Sequence, residues 1–307
     1  MSQESSTTSD NPQPASAPAP HIAERGVVVN GLRLASAMND APRAFMTRVP
    51  LVVLPSAGFV WRDYEPILAH FATERRAFAL DWPGFGASAK PSPSDFAYDV
   101  GNLGDIFSGW LDGMGIARAV LLGNGIGAAI AFAYAQQHPK RVLGLALVSP
   151  AGFSRPDLTS QLVSRAAASP GLLRRLHPLA TSLLLGPTND AVESVLERHR
   201  ALRAASDAAA STAALAALWR SLRTSAPDLL ATAGEMTAAT VVIRGALDPL
   251  VTAADARRTA EAIGSHGALE VTLPNAGHLP FLQEPQRFYA ALAGLLGTAE
   301  LRAAELS

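Results

Sequence analysis

The sequence predicts an α/β protein with a mostly parallel central sheet and helices on both of its faces. Two observations carry this prediction: apolar runs of strand length alternate with segments of helix length, and one long helical stretch interrupts that alternation. The strand-length runs occupy residues 51–54, 76–80, 119–122, 142–148, 241–243 and 269–273. Short, continuous apolar runs of this kind are typical of parallel strands that are buried on both faces.

The chain before the first of these runs predicts a tail followed by a hairpin. Residues 1–20 are rich in Ser, Thr, Pro and Ala and contain no Lys or Arg, so we expect residues 1–22 to form a disordered tail. Asn30-Gly31 then separates two short apolar segments, which is typical of a hairpin closed by a type I′ turn. The sheet is therefore expected to begin with antiparallel strands.

Residues 153–235 break the alternation. They are dense in Ala, Leu, Ser and Arg and show no strand pattern, so we interpret them as several short helices inserted between two strands of the sheet. Their placement favours a cap over the carboxyl edge of the sheet, and the alternative is that they pack on one of its faces. The core would then consist of residues 23–152 and 236–299.

Composition narrows the function classes. The chain has 307 residues and a formal net charge of −1, which gives no electrostatic reason to expect nucleic acid or an acidic membrane as partner. A small-molecule substrate or ligand is expected instead. There are no cysteines, which excludes disulfides, thiolate nucleophiles and thiolate metal sites. The histidines and carboxylates show no metal-ligand spacing, and the sequence predicts neither a metal nor a cofactor.

Nothing in the sequence predicts insertion into a membrane. No stretch reaches the roughly 18 uninterrupted apolar residues of a membrane span. Residues 1–20 lack the basic start and apolar middle of a secretory signal, and they lack the arginines of a mitochondrial presequence. We therefore expect a soluble, cytoplasmic protein, and the sequence leaves its oligomeric state open.

The segment 119–129 carries the first motif of chemical interest. It reads AVLLGNGIGAA, a buried strand, a glycine-flanked turn and the start of a helix of small residues. It resembles the nucleophile elbow of the α/β-hydrolase superfamily, whose pattern is G-x-S-x-G. Gly123 and Gly127 match the two flanking glycines, but the central position is occupied by Gly125 instead of a nucleophile.

Four further segments resemble motifs of the same superfamily. They are LDWPGFGAS at 80–88, QHPKRV at 137–142, VVIRGALDP at 241–249 and PNAGHLP at 274–280. The motifs follow the superfamily's chain order of nucleophile, acid and histidine, and they span about residues 25 to 297. On these motifs the chain is identified as a member of the α/β-hydrolase superfamily, with an α/β-hydrolase fold.

The resemblance implies roles for individual residues. His278 would be the general base, and Asp248 would orient and stabilise its ring. The oxyanion hole would use the backbone N–H groups of Ile126 and Ala57. The superfamily usually has His-Gly before the second donor, whereas this chain has Pro55-Ser56, which is a second departure in the same site.

Gly125 has no atom that could attack a carbonyl, so an acyl-enzyme at this position is chemically impossible. Ser56, Ser88 and Ser149 are possible surrogates, and each is more readily interpreted as a residue that serves a turn or a local hydrogen bond. Ser56 is the strongest of the three, because it is expected to face the site.

Three hypotheses remain open. The first, slightly favoured, is an enzyme that acts on a small apolar molecule through the His278/Asp248 dyad without a covalent serine intermediate. The second is a catalytically inactive pseudoenzyme that binds a small molecule. The third is an esterase-like hydrolase with a surrogate nucleophile or direct attack by water. The Ala and Leu content of residues 153–235 suggests an apolar lining, which is why an apolar molecule is expected.

Overall fold

The computed structural model describes residues 20–153, 165, 167–224, 228–264 and 268–306. Its eight strands form one sheet in the order β1-β2-β4-β3-β5-β6-β7-β8. The strands are β1 (Ile22–Val29), β2 (Leu32–Asn39), β3 (Leu51–Leu54), β4 (Ala77–Leu80), β5 (Ala119–Asn124), β6 (Val142–Val148), β7 (Ala239–Gly245) and β8 (Leu269–Leu273). The order agrees with the alternation of strands and helices in the sequence.

Strands β1 and β2 pair antiparallel, and β2 pairs antiparallel with β4. Every other neighbouring pair, from β4 to β8, is parallel. Strands β3, β5 and β6 are buried along their whole length, which explains their uninterrupted apolar sequences. The predicted fold class, a mostly parallel sheet with helices on both faces, is confirmed.

The helices cover both faces of the sheet. They are α1 (Glu65–His70), α2 (Val100–Gly113), α3 (Ile126–Gln137), α4 (Pro170–Leu185), α5 (Asp190–Ala204), α6 (Ala208–Thr224), α7 (Ala253–Ala262) and α8 (Pro285–Glu305). Helices α2, α3 and α7 contribute to one apolar core, and α1 and α8 contribute to a second core on the opposite face. None of the described helices is both long and apolar enough to cross a membrane.

The predicted hairpin is present at the start of the sheet. Asn30 and Gly31 both have positive φ, 49° and 80°, as a type I′ turn requires. Strand β1 begins at Ile22, which pairs with Asn39, so the last residue of the expected tail lies in the sheet. Residues 1–19 of that tail lie outside the described residues. At the other end, α8 runs to Glu305, beyond the expected core boundary at 299.

Helices α4, α5 and α6 lie in the insertion between β6 and β7. Each contacts a loop at the carboxyl edge of the parallel strands. The carbonyl of Leu184 in α4 accepts a hydrogen bond of 2.8 Å from the His278 N–H, and Arg198 of α5 forms an ion pair with Asp63. Leu215 of α6 lies over Gly58, 3.4 Å from where a Cβ on that glycine would stand.

Candidate active site

Gly125 forms the turn between β5 and α3. Its φ of 55° and ψ of −118° are strained for a residue with a side chain but accessible to glycine. Its N–H donates to the carbonyl of Val148 at 3.0 Å, and its carbonyl accepts from the N–H of Ala151 at 3.1 Å. The first turn of α3 also lies close to β3, because a Cβ at Gly127 would stand 2.1 Å from the Leu54 carbonyl oxygen.

His278 and Asp248 lie close together, as the motif resemblance implied. His278 follows β8 and Asp248 follows β7, and the two parallel strands end at the same edge of the sheet. His278 Nδ1 is 2.9 Å from Asp248 Oδ2, and both side chains are buried. Burial by itself would raise the pKa of Asp248, but the His278 ring and the N–H of Leu250 outweigh it, so the pKa is lowered. The carboxylate is therefore well suited to stabilise a positive imidazolium.

Ser56 contacts the other nitrogen of the same ring. Its Oγ lies 3.0 Å from His278 Nε2, and only 6% of the residue is exposed. The sequence favoured a turn or a local hydrogen bond for the Ser56 hydroxyl. In the structure this hydroxyl instead contacts a residue that is distant in the chain. A hydroxyl, an imidazole and a carboxylate in this sequence form an arrangement that can perform nucleophilic catalysis.

The absence of a side chain at Gly125 explains why Ser56 can reach the ring. A Cβ on Gly125 would stand 2.1 Å from Ser56 Oγ and 2.9 Å from His278 Nε2. Both separations are far below van der Waals contact. The Ser56 hydroxyl thus occupies the space that a side chain at position 125 would need.

Two side chains fix the peptide group between Pro55 and Ser56. Trp82 Nε1 donates to the Pro55 carbonyl at 2.9 Å, and the Ser56 N–H donates to Tyr64 Oη at 2.9 Å. Both Trp82 and Tyr64 are buried. The Ser56 amide is consequently engaged within the fold, whereas its hydroxyl points to His278.

Asn124 connects this loop to the loop that carries His278. Tyr64 Oη donates to Asn124 Oδ1 at 2.6 Å, and Asn124 Nδ2 donates to the carbonyls of His278 and Val148, each at 3.1 Å. Burial raises the pKa of Tyr64 well above its usual range, so the phenol remains a donor. Sequence reasoning missed both roles. Asn124 stood inside a recognised motif, but no signal in the sequence pointed to Tyr64.

The two expected oxyanion donors, Ile126 and Ala57, directly follow Gly125 and Ser56 in the chain. Ile126 is the first residue of α3, so its N–H has no acceptor within the helix. Ala57 directly follows Ser56 and is partly exposed. Backbone amides at such positions can stabilise a developing negative charge on oxygen.

Ser88 has a different environment. Its hydroxyl donates to the Asp81 carbonyl at 2.7 Å and accepts from the Ala35 N–H at 2.8 Å. These bonds tie the segment after β4 to β2, in agreement with the structural role inferred from the sequence. Within the described part of the chain, no group of three or more His, Asp and Glu side chains is placed to hold a metal ion.

A second buried carboxylate lies near the site. Asp63 accepts from Arg198 Nη1 at 2.6 Å and from the Val60 N–H at 3.0 Å, and its Oδ2 lies 3.0 Å from His199 Nε2. The ring of Phe59 lies 5.0 Å from that of His199 and 6.4 Å from that of His278. This cluster attaches α5 to the loop that carries Ser56, and no motif in the sequence indicated it.

Comparisons with known proteins agree with this geometry at the level of family and fold. Residues 51–291 match the model of a family described as "Alpha/beta hydrolase family". A 2-hydroxymuconate semialdehyde hydrolase of Pseudomonas sp. (strain CF600) is 33% identical over 135 residues, which cover 43% of this chain and 45% of that protein. The 1-acylglycerol-3-phosphate O-acyltransferase ABHD5 of Homo sapiens is 32% identical over 145 residues, which cover 46% of this chain and 42% of that protein.

The match thus spans less than half the length of these curated relatives. Among solved structures, the enol-lactonase from Burkholderia xenovorans LB400 superposes with a TM-score of 0.72 at 26% identity. That superposition covers 89% of this chain and the whole of the other. The shared architecture therefore extends well beyond the segments that sequence comparison aligns.

Proposed function

We propose that this chain, which belongs to the alpha/beta hydrolase family, is a hydrolase in which Ser56 takes the place of the missing nucleophile at Gly125. The observation that carries the proposal is the 3.0 Å contact between Ser56 Oγ and His278 Nε2. The ring is held from its other side by Asp248 at 2.9 Å. This is the third of the hypotheses drawn from the sequence, and the geometry favours it over the other two.

The reaction would follow two steps. Ser56 Oγ attacks the carbonyl carbon of an ester or lactone while His278 Nε2 takes its proton, and the ring returns that proton to the departing oxygen. Water then attacks the acyl group on Ser56, passes a proton to the ring, and the acid leaves as Ser56 Oγ recovers that proton. The N–H groups of Ile126 and Ala57 would stabilise the oxyanion, and Asp248 would stabilise the imidazolium.

Two observations weigh against a dyad that works without a covalent step. The nitrogen that such a dyad would offer to water or to a substrate proton, His278 Nε2, already faces the Ser56 hydroxyl at 3.0 Å. In addition, the peptide group that precedes the Ser56 Cα is held by two buried partners, Tyr64 and Trp82. A pseudoenzyme would have no need of a hydroxyl held in this way.

We also propose that α4, α5 and α6 form a cap over the site. Their contacts with the His278 loop, with Asp63 and with Gly58 support this arrangement. Phe59 and Leu215 are apolar groups beside the same loop, which supports a small apolar acyl compound as substrate. Relatives named as a 2-hydroxymuconate semialdehyde hydrolase and an enol-lactonase suggest small esters and lactones as the first compounds to assay.

A serine-directed fluorophosphonate probe tests the proposal. The probe should label the protein once, and peptide mass spectrometry should find the label on Ser56. Ser56→Ala should abolish both labelling and hydrolysis of a p-nitrophenyl ester panel. Ser194→Ala provides a matched control, because Ser194 is an exposed serine on α5, and it should retain both. Labelling at another serine, or ester hydrolysis that Ser56→Ala leaves intact, would rule the proposal out.

A further inference from the structure

One side of helix α4 exposes a row of leucines. Leu172, Leu176, Leu179 and Leu183 are 41%, 44%, 62% and 60% exposed. Their spacing of four, three and four residues places all four on the same side of the helix. We call this row the leucine face. Single exposed leucines are common on protein surfaces, whereas a contiguous apolar strip indicates an interaction site.

The segment that carries the leucine face is basic. Residues 158–189 include Arg165, Arg174 and Arg175 and contain no aspartate or glutamate. All three arginines are exposed. Arg175 lies three residues after Leu172 and four before Leu179, so it borders the leucine face. The whole chain has a net charge of −1, which means that this positive charge is a local feature that the total conceals.

The leucine face ends beside the loop that carries His278. Leu183 directly precedes Leu184, whose carbonyl accepts the His278 N–H at 2.8 Å. Gln283 Nε2 donates to the carbonyl of Leu185 at 2.5 Å. The C-terminal end of α4 is thus attached to the core of the molecule, while the four leucines of the leucine face are exposed.

We propose that the leucine face docks on the surface of a lipid bilayer that contains anionic phospholipids. The leucines enter the boundary between head groups and acyl chains, and Arg175 at their border approaches the lipid phosphates. The helix lies on the surface and does not span it. This goes beyond the small-molecule partner expected from the total charge, and it does not depend on the proposed hydrolysis.

A second copy of this chain is the other occupant to consider. A twofold contact through the leucine face would bring the same segment of both copies together. The arginines of the two segments would then approach one another, and residues 158–189 contain no acidic residue to pair with them. An anionic lipid surface supplies the opposite charge and the apolar layer at once.

Co-sedimentation with vesicles tests the proposal on the full chain. The Ser56→Ala variant is used so that the lipids stay intact. It should bind vesicles of phosphatidylcholine with phosphatidylglycerol much more strongly than vesicles of phosphatidylcholine alone, and added salt should weaken the binding. Arg175→Gln should lower the partition coefficient on the anionic vesicles by about fivefold.

The leucines are tested against a matched exposed leucine elsewhere. Leu179→Glu/Leu183→Glu should lower partitioning at least about tenfold, with the Tm and far-UV circular dichroism of the parent. Leu301→Glu, at a leucine of α8 that is 70% exposed, should bind as the parent does. The proposal is overturned if no vesicles bind, or if the leucine variants bind as well as Leu301→Glu. A dimer in light scattering that Leu179→Glu/Leu183→Glu dissociates, without vesicle binding by the parent, would assign the face to a second copy instead.

Discussion

The turn after β5 and the loop after β3 each hold one part of what a nucleophile needs. Gly125 has the sharp backbone and the helix start, but it has no attacking atom. Ser56 has the hydroxyl, at 3.0 Å from His278 Nε2, but it belongs to a loop. The two positions compete for one volume, since a Cβ at Gly125 would stand 2.1 Å from Ser56 Oγ.

The two regions are also held in different ways. The Gly125 turn is fixed by backbone hydrogen bonds to Val148 and Ala151. The peptide group between Pro55 and Ser56 is instead fixed by the side chains of Trp82 and Tyr64. A turn that depends on backbone groups tolerates changes around it, whereas the position of Ser56 depends on several buried side chains. The geometry of a displaced nucleophile is therefore expected to be more sensitive to distant substitutions.

The largest expected loss of activity comes from substituting Asp248, whose carboxylate would serve a nucleophile at position 56 and one at position 125 alike. Asp248→Asn keeps the shape of the side chain but removes the charge that stabilises the imidazolium, so kcat should fall about 10⁴-fold on whichever p-nitrophenyl ester the wild type hydrolyses best. Asp40→Asn changes an exposed carboxylate and should leave kcat unchanged. If Asp248→Asn retains activity within about tenfold of the wild type, the ring is not the base.

The next effect comes from moving the hydroxyl between the two regions. Gly125→Ser alone should inactivate the protein and lower the free energy of unfolding by about 1 to 3 kcal/mol, because the new side chain is strained at φ 55° and collides with Ser56. Adding Ser56→Gly removes the collision. The double variant should regain at least about 100-fold over Ser56→Gly alone, since the base and the Ile126 amide are retained.

Steady-state hydrolysis and fluorophosphonate labelling of the single and double variants measure this exchange. The label should move from Ser56 in the wild type to position 125 in the double variant. Gly125→Ser that is more active than the wild type, with Ser56 still present, would contradict the view that the two positions compete.

The sequence predicted the features that depend on local backbone conformation. The strand, turn and helix around Gly125, and the loops that present Asp248 and His278, each follow from a short motif. The contact between Ser56 and His278 joins residues 222 positions apart, and no local pattern measures such a distance. In the sequence, Pro55-Ser56 and Gly125 were both visible as departures from the motifs of the superfamily. Only the fold shows that the missing side chain at Gly125 makes room for the Ser56 hydroxyl.

Other parts of the site left no trace in the sequence. Tyr64 lies in a short 3-10 helix, Trp61–Tyr64, whose residues match no motif. His199 comes from α5, whose pairing with Asp63 depends on how the inserted helices sit on the core. Long-range polar contacts of this kind are specified by packing, which periodicity alone does not determine.

The Ser56 loop, unlike the Gly125 turn, should depend on a buried carboxylate whose contribution to stability changes with pH. Asp81 accepts from the N–H of Trp61 at 2.7 Å and from that of Ala87 at 2.9 Å, and so supports the 3-10 helix that carries Tyr64. Burial raises the pKa of Asp81 to about 6, from an ordinary value of about 3.9. The protonated form is thus favoured in the folded state, and its contribution of up to about 3 kcal/mol is lost as the pH rises from about 4 to about 6.

Urea unfolding at several pH values measures this contribution. The free energy of unfolding of the wild type, relative to Asp81→Asn, should decline over that pH interval. Asp95→Asn, at an exposed carboxylate, should run parallel to the wild type. A constant difference between wild type and Asp81→Asn across the interval would show that the Ser56 region carries no such titrating support.

The smallest effect tests whether Tyr64 positions the nucleophile or only stabilises the fold. Tyr64→Phe removes the hydroxyl that accepts from the Ser56 N–H and donates to Asn124, which leaves two buried polar groups unpaired and should cost about 1 to 3 kcal/mol of stability. If the hydroxyl also holds Ser56 against His278, kcat should fall about tenfold with KM nearly unchanged, because a misplaced nucleophile impairs the chemical step more than binding.

Phe71→Leu provides a control, because Phe71 is a buried aromatic in the same apolar core and its truncation should lower stability without altering kcat. Equal kcat in Tyr64→Phe and the wild type, at a temperature where both are folded, would limit Tyr64 to a structural role and leave Trp82 as the principal support of the Ser56 loop.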